Sequence, residues 1–444
     1  MQSRRDHLQA YQFATDRLAS ALVTGDPASG ENPMRRATLG MMFGVVIVVL
    51  LAAGSGVYGL LSPGGNTGWR QPGSIIVEKE TGNRYLFLGG RLHPVVNYAS
   101  ALLAMGDRAT VRMVSRNSLA GVPHGGPVGF SGAPDSIPQA SALLSAMWAR
   151  CVLPGGGAGE VVDFDPARRT TPVPADRRIL LVGPKGRDHV LWQGVKYPVD
   201  SRSALVALGL DTQDPITAPA DWLAVFPTGH TLAPARVPQE GRAGPRIAGR
   251  AAKVGRLFRT TVGGGDHHYV LLSDGVAPIS ATESALLAAR KGATAPERVS
   301  PADIAAAPAS SDRSLMNRVP DVLDAAPLAT RGAALCLRQR STARSVDSEV
   351  VLGYGPAASG GPRVLVPPGR GVLAVDQAQL SRGTTAQRYL ITDQGVKYPL
   401  ADDSAARALG YGSARTLVLP ERVLALVPQG ARLARPTAAV PGGH

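Results

Sequence analysis

Hydrophobic residues form one long uninterrupted block near the N-terminus. Residues 37–61 contain no Asp, Glu, Lys or Arg, and as a helix they would be roughly 37 Å long at about 1.5 Å per residue. A cleaved signal peptide is the alternative, but its apolar region is shorter and lies close to the N-terminus, whereas 36 residues precede this block. The pattern therefore predicts a transmembrane helix over residues 37–61.

Basic residues flank this helix on one side only. Arg35 and Arg36 directly precede it, whereas the segment that follows it is uncharged until Arg70. Because positively charged flanks stay in the cytosol, we expect residues 1–36 in the cytosol and the remainder outside it. The expected location is the cell (inner) membrane, with an extracytoplasmic, periplasmic C-terminal region.

A helical pattern precedes the membrane block. Ser3-Arg4-Arg5-Asp6 resembles a capping box, and Gly25-Asp26-Pro27 ends the pattern. Between them, apolar or small residues follow at helical spacing, at Leu8, Tyr11, Thr15, Leu18 and Leu22. The helix over residues 3–21 either lies on the membrane surface or docks on a cytosolic partner through Leu8, Tyr11, Leu18 and Leu22.

One pattern recurs four times in the rest of the chain. Each copy has an apolar run, a glycine turn, a second run that ends at proline, a short helix rich in Ser, Ala and Leu, and a closing segment. The turn glycines are Gly90, Gly194, Gly275 and Gly395, and the prolines that follow them are Pro94, Pro198, Pro278 and Pro399. The closing prolines are Pro123, Pro227, Pro308 and Pro428, which lie 29, 29, 30 and 29 positions further on. The closing segments predict a further edge strand that stops at proline.

Two longer β-rich inserts separate copies one and two, and copies three and four. Each insert has one cysteine, Cys151 or Cys336, at a matching place. We expect these inserts to form one central domain, with repeat modules at both ends in an elongated, pseudo-two-fold arrangement. Outside the cytosol we expect the two cysteines to form a disulfide, worth roughly 5 kcal/mol in the chain-entropy model, and two buried free thiols are the alternative.

The predicted fold is a single-pass membrane protein whose external region is α+β and mostly β. Four hairpin-plus-helix modules surround the central β domain. The expected boundaries are 1–36 for the cytosolic helix and linker, 37–61 for the membrane helix, 62–74 for a linker, 75–132 for module 1, 133–180 for the first part of the central domain, 181–236 for module 2, 237–254 for a linker, 255–312 for module 3, 313–375 for the second central part, 376–435 for module 4 and 436–444 for a flexible tail.

Composition and charge narrow the function classes. The chain has 52 Gly and 36 Pro but only 5% aromatic residues, which favours short strands and turns over long helices. The net charge is +14; residues 1–36 contribute +1 from five Arg and four acids, and residues 37–61 contribute none, so the external part carries +13. No nucleic-acid-binding motif accompanies this charge. The charge could therefore serve to bind anionic wall polymers, lipid headgroups or an acidic partner, or could belong to an ordinary solvated surface.

Motifs for catalysis and for phosphate binding are missing from the sequence. There is no G-x-x-x-x-G-K-[ST] and no G-x-S-x-G, and the glycine-rich residues 183–189 and 262–268 lack a Lys-Ser/Thr pair. We interpret both runs as turns, and His267-His268 beside Asp266 as a surface loop, since adjacent histidines on a strand point to opposite faces. We expect no catalytic residue, no metal and no cofactor.

Copies two and four contain the identical pentad Gly-Val-Lys-Tyr-Pro, at residues 194–198 and 395–399. Two equivalent ligand or partner contacts would explain it. We favour a hairpin turn whose Tyr packs on its module and whose Lys is solvated. Copy one has Gly-Arg-Leu-His-Pro at this place and copy three has Gly-Val-Ala-Pro, so a catalytic chemistry shared by all four copies is not expected.

Several of these stretches together resemble a known family. They are RRDHLQAYQFATDRLASALVTGDP, PMRR, one membrane helix, GSIIVEKETGNRYLFLGGRLHPVVNYASALL and two external cysteines. The chain resembles EccB, the single-pass membrane component of actinobacterial type VII (ESX) secretion systems. The resemblance covers essentially the whole chain and is most specific in residues 1–125.

The resemblance implies a set of partners and a function. It implies assembly with EccC, an FtsK-type ATPase, with EccD, a multi-helix membrane protein, and with EccE and a mycosin protease, together with self-association. The family's repeats are similar to phage-lysin wall-binding modules, which implies peptidoglycan contact. We expect a structural core subunit of the secretion complex. ATP hydrolysis, which the family's usual label implies, and a cell-wall receptor are the alternatives.

Overall fold

The computed structural model describes residues 4–25, 34–61, 68–71, 73–153, 159–330, 332–342, 344–353 and 363–436. Ser3 of the capping box, Asp26-Pro27 of the helix stop and residues 437–444 of the expected tail lie outside this part of the chain. The chain divides into two compact units. The first comprises residues 1–94 and 110–125, and the second comprises residues 95–109 and 126–444.

Short elements dominate the described residues, apart from two long N-terminal helices. The helices are α1 (Arg4–Thr24), α2 (Met34–Leu61), α3 (Tyr98–Met105), α4 (Arg116–Leu119), α5 (Arg202–Ala207), α6 (Ala220–Leu223), α7 (Ala281–Ala288), α8 (Pro301–Ala306), α9 (Gln377–Ser381), α10 (Asp403–Ala408) and α11 (Glu421–Leu426). The strands are β1 (Ser74–Glu78), β2 (Arg84–Leu88), β3 (Arg91–Pro94), β4 (Thr110–Val114), β5 (Trp148–Val152), β6 (Glu160–Asp163), β7 (Thr170–Pro172), β8 (Arg177–Val182), β9 (Asp188–Trp192), β10 (Val195–Pro198), β11 (Ile216–Thr217), β12 (Leu257–Val262), β13 (Gly265–Leu271), β14 (Val276–Ile279), β15 (Glu297–Arg298), β16 (Ala326–Pro327), β17 (Ala334–Ser341), β18 (Val346–Gly353), β19 (Arg363–Leu365), β20 (Val372–Asp376), β21 (Arg388–Ile391), β22 (Lys397–Pro399) and β23 (Leu417–Leu419). The external region is therefore α+β and mostly sheet.

Four sheets share one strand order. They are β3-β2-β1-β4, β10-β9-β8-β11 with β16 also paired to β8, β14-β13-β12-β15, and β22-β21-β20-β23. In each, the first three strands in sequence form an antiparallel meander, and the fourth returns parallel to the first, as β4 does to β1. A parallel return needs a crossover connection, and the short Ser-Ala-Leu helices α3, α5, α7 and α10 lie in these connections.

Side-chain caps start each of the four crossover helices. Asn97, Ser201, Ser280 and Asp402 each accept a hydrogen bond from the backbone N–H three residues later. An N-cap oxygen satisfies a helix N–H that has no partner within the helix. In the second unit, α3 packs on α10 in a core that includes Ala99, Leu103 and Tyr411, and α5 packs near α7.

The closing segments differ from the strand that the sequence predicted for them. Their first residues, Leu119, Leu223, Ile304 and Leu424, lie in the short helices α4, α6, α8 and α11, so the prediction of an edge strand that stops at proline is wrong. Pairing begins instead at the proline carbonyl: Pro123, Pro227, Pro308 and Pro428 each accept a hydrogen bond from a residue of the third strand. Proline has no N–H to donate, but its carbonyl remains an acceptor.

A six-stranded sheet combines both inserts, in the order β19-β6-β5-β17-β18-β7. One face packs on two of the four-stranded sheets, because Trp148 and Phe164 join the core of β20 and β23 while Val152 and Leu335 join that of β8. The predicted boundaries at 181 and 376 fall inside β8 and β20. Each of these strands begins a four-stranded sheet, although its sequence reads as part of the preceding β-rich insert.

Candidate assembly sites

Helix α1 presents the four residues predicted for docking on its surface. Leu8, Tyr11, Leu18 and Leu22 are all exposed, and Gly25 ends the helix with a positive φ of 67°. Phe13 is also exposed, but it lies on another side of the helix at 100° per residue. An apolar stripe in water is unfavourable, so this helix has a face suited to a protein or a bilayer.

Helix α2 is long enough to cross a membrane. Its span Thr38–Tyr58 is 21 residues with a mean hydropathy of 2.3, and it is the one such helix in the described part of the chain. Arg35 and Arg36 lie in its first turn. The helix therefore begins earlier than the predicted residue 37 and includes both basic flanking positions.

The two cysteines form a disulfide on the second face of the six-stranded sheet. Cys151 on β5 lies opposite Cys336 on β17 in the antiparallel register. Both are buried in a small apolar cluster with Val351 and Leu153. Gly353 leaves room for this bridge, because a Cβ there would lie 2.6 Å from the Cys336 sulfur.

A buried ion network lies on the opposite face of the same sheet. Arg150 of β5 donates to Glu160 and, at 2.6 Å, to Asp221 of α6. Trp222 donates its indole N–H to the Arg150 carbonyl at 3.3 Å, and Arg422 of α11 lies 3.8 Å from Asp221. Burial alone would raise the pKa of Asp221, but the hydrogen bond and charge of Arg150 outweigh it and lower this pKa. Arg150 thus connects the central sheet to α6.

The lysine of the repeated pentad is not solvated, contrary to our interpretation. Lys397 is only 9% exposed and donates to the carbonyl of Leu424 in α11. Lys196 donates to the carbonyls of Leu223 at 2.9 Å and Phe226 at 2.6 Å. The Leu223 and Leu424 carbonyls each accept a backbone N–H as well, from Phe226 and Val427 at 3.2 Å, so the ammonium group is their second donor. Burial lowers the pKa of both lysines.

The repeat glycines have two separate roles. Gly90, Gly194, Gly275 and Gly395 adopt positive φ, which glycine reaches without a Cβ clash. The glycines two residues after the closing prolines instead lie against a ring: a Cβ at Gly125, Gly229 or Gly430 would overlap His93, Tyr197 or Tyr398 respectively. Copy three has Ser310 instead of this glycine and Ala277 instead of the ring residue. The ring and the glycine are therefore present together in the other three copies and absent together in copy three.

Gly430→Ala should therefore destabilise the protein by about 1–3 kcal/mol, the usual range for inserting a methyl group into a packed site. In a Tyr398→Ala background the same change should cost much less, because the ring is gone. The measurement is a double-mutant cycle from urea unfolding of the full chain in detergent. Gly126→Ala is the control, since a Cβ there meets nothing within 4 Å. Equal costs for Gly430→Ala in both backgrounds would contradict this explanation.

A family model matches nearly the entire chain. The model described as "Type VII secretion system ESX-1, transport TM domain B" covers residues 1–442. The chain belongs to this EccB family. It is a component of a type VII secretion system.

Two relatives agree with this family, and one solved structure shares the fold. The chain is 28% identical to the ESX-3 secretion system ATPase EccB3 of Mycolicibacterium smegmatis, over 98% of this chain and 90% of that protein. It is 27% identical to the ESX-5 secretion system ATPase EccB5 of Mycobacterium marinum, over 99% and 93%. A chain in the structure of the periplasmic assembly from the ESX-5 inner membrane complex has a similar fold, with a TM-score of 0.55, 23% identity and coverage of 87% of this chain and 98% of that one.

Glycine-rich runs in this EccB-family chain form hairpin turns. Residues 183–189 connect β8 to β9, and the Gly183 N–H donates to the Arg187 carbonyl at 2.8 Å. Residues 262–268 turn at Gly263 and Gly264 and continue into β13. Neither turn precedes an α-helix, whereas phosphate loops position their backbone N–H groups at a helix N-terminus.

His267 and His268 lie on β13, so their assignment to a surface loop is wrong. The long β12–β13 hairpin extends the ladder through Asp266 to Gly265, which places both histidines inside a strand. Asp266 accepts from Thr261 and Arg259, and burial lowers the pKa of His268. No group of three His, Cys, Asp or Glu residues suited to a metal occurs among the described residues.

Sequence reasoning missed three residues that matter for packing. Arg150, Asp221 and Trp69 are buried or half-buried, yet none of them belongs to a recurring motif. Trp69 follows the membrane helix closely and packs edge-on against Phe87, with 5.3 Å between ring centroids. The only signals for them in the sequence were the tryptophan itself and the two charges that interrupt mostly apolar stretches.

Proposed function

We propose that the chain is a structural, membrane-anchored core subunit of a type VII secretion complex. The match of residues 1–442 to the family model carries this proposal. Helix α2 anchors the chain, α1 docks on cytosolic partners, and the external sheets associate with neighbouring subunits. The similar fold of a chain from the ESX-5 inner membrane complex supports the same role.

The proposed orientation puts the N-terminus in the cytosol and the sheets outside, in the periplasm. Arg35 and Arg36 support it, because basic residues favour the cytosolic side. The Cys151–Cys336 disulfide is consistent with it, since disulfides persist in oxidising compartments. The charge of +13 beyond residue 61 then faces outward.

The proposed external architecture has four repeat modules and one central domain. The common strand order of the four sheets supports the modules, and the six-stranded sheet built from both inserts supports the central domain. Equivalent positions of modules 2 and 4, Asp221 and Arg422, meet beside Arg150. This equivalence supports a pseudo-two-fold relation between these two modules.

The proposed partners are an FtsK-type ATPase, a multi-helix membrane protein, an EccE-like subunit, a mycosin protease and further copies of the chain. One apolar helix cannot form a pore by itself, so transport requires other subunits. We expect Leu18→Asp in α1 to reduce strongly the amount of the ATPase and of the multi-helix protein that co-purifies with a C-terminally tagged chain, because it charges the apolar stripe.

Gln9→Asp is the matched control, since it adds the same charge on the opposite side of α1. It should leave the co-purified proteins unchanged. For both variants, the co-purified proteins are separated by size exclusion in mild detergent and identified by mass spectrometry. If Leu18→Asp retains every partner, α1 is not the docking element. If the wild-type chain elutes alone, the subunit proposal itself fails.

ATP hydrolysis is the second candidate, because the relatives' names call them ATPases. The hairpin geometry of the two glycine-rich runs offers no support for it. Turnover that survives purification of the chain away from its partners, together with thermal stabilisation by ATP, would establish it. Loss of turnover with the partners would assign hydrolysis to another subunit.

A cell-wall receptor is the third candidate, favoured by the charge of +13 beyond the membrane helix. Cationic surfaces attract anionic polymers. Retention of the full chain on isolated peptidoglycan, lost on removal of residues 62–444, would support this function.

A further inference from the structure

Equivalent faces of two of the four-stranded sheets are packed against different parts of the chain. The face of β20 and β23 is covered by Trp148 and Phe164 of the six-stranded sheet. In the first unit, the equivalent face of β1 and β4 carries Ile76 and Val114, and Trp69 packs on it instead. Trp69 is only 2% exposed. A single tryptophan covers less area than a sheet, and a groove remains beside it.

This groove has the chemistry of an anion site. Its volume is ≈ 260 Å³. The lining residues that matter here are Trp69, Lys79, Arg112, Val114, Ser115 and Ser118. Lys79 and Arg112 are exposed, and neither has an ion-pair partner among the described residues. The Ser115 and Ser118 hydroxyls lie 3.1 Å apart, and no carboxylate belongs to the described lining.

The groove also lies close in sequence to the membrane helix. Helix α2 ends at Leu61, and the helical turn that contains Trp69 begins at Gly68. The connection therefore spans at most about 24 Å, since an extended chain advances by about 3.4 Å per residue. Arg70 adds a third exposed cation next to Trp69, with its guanidinium 5.2 Å from the ring centroid.

Strand β4, beside the groove, has exposed apolar residues. Val111 and Met113 are 48% and 66% exposed and point to the opposite face of this edge strand from Arg112. Cations, hydroxyls and apolar side chains within reach of a bilayer match the phosphate and upper acyl chain of a lipid. A soluble anion would use only the polar part of this surface.

We propose that the groove beside Trp69 binds the phosphate of an anionic phospholipid headgroup, with Lys79 and Arg112 as its cationic contacts. The inference rests on α2 crossing the membrane, as in the proposed function. It fixes the first sheet of the external region against the bilayer surface. A failure of lipid binding would leave subunit assembly intact, so the two proposals fail separately.

The test uses the full chain in nanodiscs of phosphatidylcholine alone or of an equal mixture with phosphatidylglycerol. Hydrogen exchange of residues 110–119 is compared between the two lipids. We expect slower exchange in the mixture only, and loss of this difference in Lys79→Gln/Arg112→Gln. Each cation near an anionic surface contributes about fivefold in affinity, so the double variant should bind phosphatidylglycerol about 25-fold more weakly.

Arg340→Gln/Arg382→Gln is the control, because it removes the same charge from two exposed positions of the second unit. It should keep the lipid-dependent protection. Equal exchange in both lipids, or protection that survives in Lys79→Gln/Arg112→Gln, would overturn the proposal. Protection by inorganic phosphate in pure phosphatidylcholine would show a site for free anions, and so would also overturn the lipid assignment.

Discussion

Removal of the Cys151–Cys336 disulfide should lower the free energy of unfolding by about 3–5 kcal/mol. The bridge joins residues separated by 185 positions, and in the chain-entropy model a loop of this length is worth about 5 kcal/mol, with native relaxation reducing the measured value. The cysteines are buried in an apolar cluster, so Cys151→Ala/Cys336→Ala removes two packed sulfur atoms together with the bridge. The expected result is a lower urea midpoint for the full chain in detergent.

Three comparisons separate the loss of the bridge from the loss of the sulfur atoms. The wild-type chain with reductant should unfold close to the midpoint of the double variant. The single variant Cys336→Ala should resemble the double variant, because either change breaks the bridge. Reductant should leave the double variant unchanged. An unaltered midpoint in reduced wild type would mean that strand pairing alone determines the stability of the central sheet.

The repeat was visible in the sequence because it needs particular residues at fixed places. The turns need glycine because their backbone adopts positive φ. The carbonyls of the closing prolines accept hydrogen bonds from the third strand. The first strands β8 and β20 were assigned to the inserts instead, since a buried apolar strand looks the same in either sheet. The parallel fourth strands β11 and β15 have only two residues each, too few to give a pattern.

Contacts between distant segments could not be read from the sequence. Lys397 follows a hairpin turn, where a lysine usually lies in solvent, and its true partner, the Leu424 carbonyl, is 27 residues away. The membrane helix and the α1 stripe were predictable because their patterns are local. Trp69 and Arg150 act through tertiary contacts that the hydrophobic pattern does not contain.

Loss of the buried Arg150 side chain would leave two partly buried carboxylates without their main partner. Arg150 donates to both Glu160 and Asp221. Breaking a buried ion pair by removing one partner usually costs 3–5 kcal/mol, because the remaining charge is uncompensated. We expect Arg150→Met to destabilise the full chain by about this amount. Arg422→Met should cost below about 1 kcal/mol, since that arginine is mostly exposed and lies 3.8 Å from Asp221.

The pH dependence tests the cause of this loss. In the wild-type chain the Arg150 guanidinium holds the pKa of Asp221 below its ordinary value, so its contribution is present at neutral pH and is lost as the pH falls through the lowered pKa. In Arg150→Met, burial without the guanidinium raises the pKa of Asp221, so stability should increase as the pH falls from neutral towards the ordinary pKa of a carboxyl group. Adding Glu160→Gln and Asp221→Asn should remove this acid stabilisation and recover part of the lost free energy. Urea unfolding across this pH range gives the slopes, and parallel slopes for wild type and Arg150→Met would show that Arg150 contributes by packing and not by charge.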